Sequence, residues 1–194
     1  MNTPAHVILN VALLTRGKRH ALARPVIWGA LLPDLPMFFF YGWVRFAAGL
    51  PDRMIWSHAY FECHWQDFFD VFNSIPLALL ALAAFVAARR TGSAAFCASM
   101  LLHDLMDLPL HREDAHRHFF PVSDFRFVSP ISYWDPAHFG AWAAFAEAAL
   151  VTACAAVLWR RFPAVWSRVV CAALAILEWA AWVAFHGLGP PSGA

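Results

Sequence analysis

Residues Leu101–Phe125 read LLHDLMDLPLHREDAHRHFFPVSDF. Their first eighteen residues hold four histidines and four acids, in a 194-residue chain that is 61% hydrophobic and only 14% charged. That contrast decides the fold class. A chain so poor in charge lies outside the composition of soluble domains and has the apolar content of a membrane protein. Ionisable groups retained in such a chain are costly and gather where they have partners or a task. The stretch admits three readings: a solvated loop, a set of hydrogen-bonded core groups, or a metal site.

Outward from it, apolar runs at 3–15, 26–48, 72–88, 94–110, 140–159 and 164–186 predict an all-α integral membrane bundle of about five or six helices. The chain is expected to form a single domain over residues 1–188, with a flexible tail at 189–194. The first run is too short to span a bilayer alone. The second is interrupted by LLPDLP (31–36), where Pro33 and Pro36 each remove a backbone donor and restrict the preceding residue. Broken backbone at membrane depth is tolerated only where it faces protein or water, which makes Asp34 a candidate site residue.

The basic segments RGKRHALAR (16–24), Arg89–Arg90 and Arg160–Arg161 alternate with acid- and histidine-rich loops at 49–71 and 111–138. Because Lys and Arg favour the cytoplasmic side, both long loops are predicted to be extracytoplasmic. The start, MNTPAHVILNVALL, lacks the basic region and cleavage pattern of a secretory signal and is expected to be retained. A net charge of +1 with scattered basic residues argues against nucleic acid as a partner. Cys63, Cys97, Cys154 and Cys171 show no C-x-x-C spacing and are read as core or lipid-facing thiols. With no Gly-rich phosphate loop, G-x-S-x-G or H-E-x-x-H, nucleotide, serine-hydrolase and zincin chemistry lack support.

In HDLMDLPLH, His103, Asp107 and His111 fall at i, i+4 and i+8, so a helix lines them along one face. Pro109 ends or bends that helix and turns His111 toward the same point. Imidazole and carboxylate one turn apart suit zinc or a similar divalent ion. The plainer alternative is a His103–Asp107 pair inside the bundle. Asp104 lies on another face, as a supporting or exposed group. His116 and His118 are either further donors or solvated loop residues. Partners from elsewhere are His6 and Asp34, ionisable groups in apolar surroundings. The loop 58–76 adds His58, His64, Asp67, Asp70 and Asn73, among which spacing does not choose. Glu147 and Glu178 are each a distant ligand or a hydrogen-bond partner within an apolar helix. The aromatic residues of FFPVSDFRFVSPISYWDPAH (119–138) read as an interfacial belt, as a lid over the site, or as both, with Arg126 available to a phosphate.

An early His, then LLPDLP, then DVFNS opening a helix, then HDLMD followed by FFPVSDFRF resembles, in that order, the bacterial YdjM-type membrane-bound metal-dependent hydrolases. That family is placed near zinc-dependent phospholipase C and P1 nuclease, all-helical enzymes with multinuclear zinc sites. The resemblance covers residues 6 to about 135 and implies that His6, Asp34, His103 and Asp107 are metal ligands or their immediate partners. It also implies that Asp34 orients or deprotonates the attacking water. One position departs from the pattern: Asn73 stands where the family has a histidine, so either Asn73 binds weakly through its oxygen or His64 or Asp70 substitutes from the same loop. The expected protein is a metal-dependent hydrolase of the bacterial inner membrane with its site toward the extracytoplasmic face. It would use one or two divalent ions, zinc first among them, on a phosphodiester or ester of a lipid or lipid-linked substrate. The alternative from another class is a non-enzymatic divalent-metal-binding or transport protein, capturing ions through His111, His116 and His118. The oligomeric state is left open.

Overall fold

The structure, a computed structural model, describes residues 1–187, so the expected tail at 189–194 lies outside the described residues. Those residues are helical, without a strand among them. The 3–15 run forms α1 (Thr3–Leu14). The 26–48 run divides at the prolines into α2 (Ala23–Leu31) and α3 (Leu35–Gly42), the second continued by a turn of wider helix through Ala47. The two halves, His20–Leu31 and Leu35–Ala47, meet at 48°. Pro33 cannot donate to the helical ladder, and the chain passes the gap through bonds from the Asp34 N–H to Leu31 O and the Leu35 N–H to Leu32 O, both 3.2 Å. Asp34 thus sits at the elbow.

The segment 49–71, expected to be loop, instead contains α4 (Asp52–Ser57) and α5 (Cys63–Phe72). The reason is amphipathicity masked by polar residues: Trp65, Phe68, Phe69 and Phe72 follow helical spacing while Gln66 and Asp70 take the other face. α5 runs on into α6 (Ile75–Ala87), giving a stretch of 25 residues from Cys63 to Ala87. Ser74 caps α6 by accepting from the Leu77 N–H at 3.2 Å. α7 (Thr91–Asp107), α8 (Gly140–Arg161) and α9 (Val165–His186) correspond to the last three apolar runs. Three helical stretches, Cys63–Ala87, α8 and α9, are long and apolar enough to cross a membrane, and the bent α2–α3 pair makes a fourth if counted as one span.

α7 packs against α2 and α6, α1 against α2 and α8, and α8 against α9. α2 and α7 touch at Gly29, where an added Cβ would lie 2.2 Å from Phe96 O. Across this junction the Asn10 amide donates to Ser99 O and Oγ, each at 2.8 Å, and Ser99 Oγ donates to Val26 O at 2.7 Å. One buried polar layer therefore ties α1, α2 and α7, in apolar surroundings where hydrogen bonds between helices act as glue. Arg161, in the last turn of α8, donates to Ala12 O at 2.8 Å and satisfies a carbonyl that the end of α1 leaves free. A second core gathers Phe40, Ile55, Tyr60 and Phe69 from α3, α4, the following turn and α5.

α1 begins, and α2 and α7 end, at the end of the bundle where the loop 108–139 folds over. The loop is held there by the Ser129 N–H on His111 O and the Tyr133 N–H on Leu110 O, at 3.0 and 2.9 Å. The His118 carbonyl accepts from the Ile75 N–H at 2.9 Å, pinning the loop to the start of α6.

Candidate metal centre

α1 and α7 bring His6 and His103 face to face, with ring centroids 3.5 Å apart and planes within 13°. Both are fully buried, and both present Nε2 to one carboxylate. His6 Nε2 lies 3.0 Å from Asp107 Oδ1, and His103 Nε2 lies 3.2 Å from Asp107 Oδ2. His103 Nδ1 is 2.9 Å from Ala30 O. That carbonyl can only accept, so Nδ1 carries a proton and Nε2 is the nitrogen turned toward the carboxylates. Asp34, at the proline elbow, places Oδ1 3.5 Å from His103 Nε2, while its Oδ2 accepts from Thr3 Oγ at 2.6 Å. His111 Nε2, one turn beyond Asp107, is 3.5 Å from Asp107 Oδ2. His6, Asp34, His103, Asp107 and His111 are thus gathered around Asp107. Ligand atoms of His6, His103 and Asp107 all lie within 4.8 Å of one another.

The loop adds a second tier. His111 Nδ1 lies 3.0 Å from Asp114 Oδ2. Burial works to lower the His111 pKa, but Asp107 overrides it and raises it to about 9, a sign of how strongly this carboxylate draws positive charge. His116 Nδ1 is 3.6 Å from Asp70 Oδ1. Asp70 in turn accepts from the Arg117 backbone N–H at 3.0 Å and from its guanidinium, which also reaches Asp67 and Asp124. Asp70 is thus held by Arg117 and lies beside His116 without a hydrogen bond to it. His118 Nδ1 is 3.1 Å from Asn73 O, and burial lowers the His118 pKa to about 4, keeping the ring neutral. The Asn73 amide nitrogen donates to Phe69 O and Pro33 O at 3.0 and 3.3 Å, which fixes this side chain at the cleft wall.

Other candidates stand elsewhere. His64 is exposed beside Glu62 at 3.6 Å, because it lies on the polar face at the start of α5, away from the cleft. Arg126, expected to be free for a phosphate, donates to Ala115 O and Gln66 Oε1 at 2.6 and 3.0 Å and so fastens the loop to α5. Asp104 is buried with neither oxygen hydrogen-bonded. Glu147 accepts from the Asn2 N–H at 2.7 Å and Glu178 from the Asn2 side chain at 3.0 Å, so α8 and α9 grip the segment leading into α1. Asp114, Thr3 and Asn10 were not singled out in the sequence. The i, i+3 spacing of His111 and Asp114 is the one local signal that would have found any of them.

At this end of the bundle lies a cleft of about 180 Å³ whose walls include Asp34, Asp107, His111, Asp114 and His116. Among the described residues no Lys or Arg lines it, and the positive group that does is the Met1 amine, 2.6 Å from Asp107 Oδ1. Burying a carboxylate costs roughly several kcal/mol unless positive charge offsets it, and here the Met1 amine and the histidines around Asp107 are the groups that supply it. The donors fit a divalent ion of the zinc type. His103 Nε2, His6 Nδ1, both ring nitrogens of His111, His116 Nδ1 and His118 Nε2 are buried without a hydrogen-bond partner, alongside the acids. Compared with family profiles, curated proteins and solved structures, the chain matches none.

Proposed function

We propose that this protein is a membrane-embedded metal-dependent hydrolase, acting on a phosphodiester or ester of a lipid or lipid-linked substrate. The observation that carries this reading is the clustering of His6, Asp34, His103 and Asp107, of which Asp34 and Asp107 reach the wall of a cleft without Lys or Arg among the described residues. Beside it, the buried group His6, His103 and Asp107 holds a divalent ion, zinc first by donor chemistry. Such an ion lowers the pKa of water toward about 7 and polarises a phosphoryl or carbonyl oxygen.

Asp34 is the acid placed to take a proton. Thr3 fixes one oxygen, and the other faces His103 at the cleft wall. The Ala30 carbonyl holds His103 in the tautomer that keeps Nε2 available. Arg126, committed to Gln66 and Ala115, leaves recognition of an anionic group to the metal.

The surroundings support an amphipathic substrate. A cavity of about 470 Å³, with Trp56, Phe61 and Trp134 in its walls, shares Met37, Tyr60, Asp114 and Tyr133 with the cleft. An apolar groove of about 670 Å³ between Leu105, Met106, Leu110 and Trp142 meets the cleft at Met1. The likeness to the YdjM-type hydrolases and the apolar spans point the same way, to a bacterial inner membrane with the cleft on the extracytoplasmic side. Glu147 and Glu178 are drawn to Asn2 beside the cleft, and this favours hydrolysis over a polar path for ion transport.

The test is hydrolysis of a panel of phospholipids and lipid-linked esters by the purified protein. Release of head group or phosphate is expected to stop on chelation, return with added Zn²⁺, and fall about 10²–10⁴-fold in Asp34→Asn. Turnover that survives chelation, or none from the metal-loaded protein on any lipid tested, overturns the reading.

A further inference from the structure

The end of the bundle opposite the cleft carries charge of one sign. The segments 1–33, 71–103 and 148–177 hold nine of the fourteen Lys and Arg residues and none of the thirteen acids. Those basic residues fall in or beside the three connections α1–α2, α6–α7 and α8–α9. α1 and α8 finish at this end, and α2 and α9 begin there. Arg161, at the end of α8, is joined to the end of α1 by its 2.8 Å bond to Ala12 O.

These four helices leave between them an apolar groove of about 300 Å³, with Val11, Ile27, Leu158, Phe162, Val170 and Leu174 in its walls. Its α9 wall runs from Trp166 to Leu174, about 12 Å at 1.5 Å per residue, which is the reach of a stretch of acyl chain. Within a bilayer such a groove is filled by hydrocarbon, and one lipid tail suits it as well as another. Selection among lipids therefore falls to the groups at its rim.

The rim is basic. Arg24 follows the lining residue Ala23, Arg161 precedes Phe162, and Arg168 follows Ser167. The His20 ring meets Phe162 edge-on, with centroids 5.1 Å apart. Arg168 Nε donates to Trp159 O at 3.3 Å, and its guanidinium lies over the Trp159 ring. Trp159 and Trp166 are both exposed, and indoles favour the membrane interface, so the arginines stand at head-group depth. Basic pockets between membrane helices attract anionic head groups, and no acid from the three segments opposes that attraction here. An anionic phospholipid supplies both a tail for the groove and a phosphate for the rim.

We infer that the groove between α1, α2, α8 and α9 binds one anionic phospholipid, with a tail along the groove and its phosphate at the rim formed by Arg24, Arg161 and Arg168. The site lies at the far end of the bundle from the cleft and does not rest on the proposed hydrolysis: this lipid is held, not cleaved.

The experiment compares head groups. Full-length protein in detergent is stripped of lipid and titrated with phosphatidylglycerol or with phosphatidylcholine of the same tails, and bound lipid is counted by native mass spectrometry. Chelator is present throughout, so that no metal-dependent turnover intervenes. Wild type is expected to retain one phosphatidylglycerol and to prefer it by about 10–100-fold. Arg24→Gln/Arg168→Gln should weaken phosphatidylglycerol by about 10–30-fold and leave phosphatidylcholine unchanged. Val170→Trp, which fills the groove from an exposed position and keeps the rim, should abolish the preference. Inorganic phosphate, which has no tail, should leave the lipid in place.

Equal affinity of wild type for the two lipids overturns the inference. So does displacement by inorganic phosphate, which would make the rim a site for the free anion. Unchanged phosphatidylglycerol binding in either variant, with a melting curve that matches wild type, overturns it too. The wild-type comparison decides whether or not the variants fold.

Discussion

Asp107 is the residue on which the centre turns. His6, His103, His111 and the Met1 amine all approach its two oxygens, at 2.6–3.5 Å. Replacing it with Asn keeps the shape and removes the charge that makes a divalent ion favourable there. Asp107→Asn should therefore lose zinc affinity by more than the roughly 100-fold typical of changes behind the ligands, as measured by competition with a chelating dye. Retained affinity would move the ion away from Asp107. The His103–Asp107 face was legible from spacing, since i, i+4 is a local property of helices, whereas His111 lies beyond the end of α7 and reaches Asp107 from the turn at Pro109. The tasks of Asp70 and Arg126 were not. A carboxylate in sequence looks the same whether it faces a metal or, like Asp70, is saturated by an arginine from a loop 47 residues away.

Among the elements, the α2–α7 contact matters most, because these helices carry the Asp34 elbow and the His103 face. They approach closely at Gly29, where the obstacle to a side chain is the Phe96 carbonyl, part of a backbone that cannot swing aside. Gly29→Ala should force the helices apart, costing about 1–3 kcal/mol and lowering the melting temperature in detergent. It should also loosen the Asn10–Ser99–Val26 layer beneath the histidines. An unshifted melt would show that the contact yields freely. The break at Pro33 and Pro36 could be read directly, for proline removes a donor wherever it stands. α5 was missed because its apolar stripe is interleaved with His64, Gln66, Asp67 and Asp70, so mean hydropathy hid the helical period.

For the molecule as a whole, the apolar stretches and the position of both long loops at the cleft end make a prediction about sidedness. Cys63 is exposed at the start of α5 near that end, while Cys97 and Cys171 are buried. In intact cells a membrane-impermeant maleimide should label Cys63 from outside, and Cys63→Ser should abolish that labelling. Labelling that appears only after lysis would reverse the orientation. The sequence by itself determined the helical apolar character, the elbow at Asp34 and the histidine–aspartate face on α7, because composition, proline and the 3.6-residue period act within a run of neighbouring residues. Only the tertiary structure decided that His6 stacks on His103 and that Thr3 holds Asp34. It likewise decided that Asp70, Asp114 and Asn73 O face the Nδ1 atoms of the loop histidines. Several of these contacts join residues far apart in the chain, and the nitrogen each ring presents is set by whichever oxygen the packing brings to its other side.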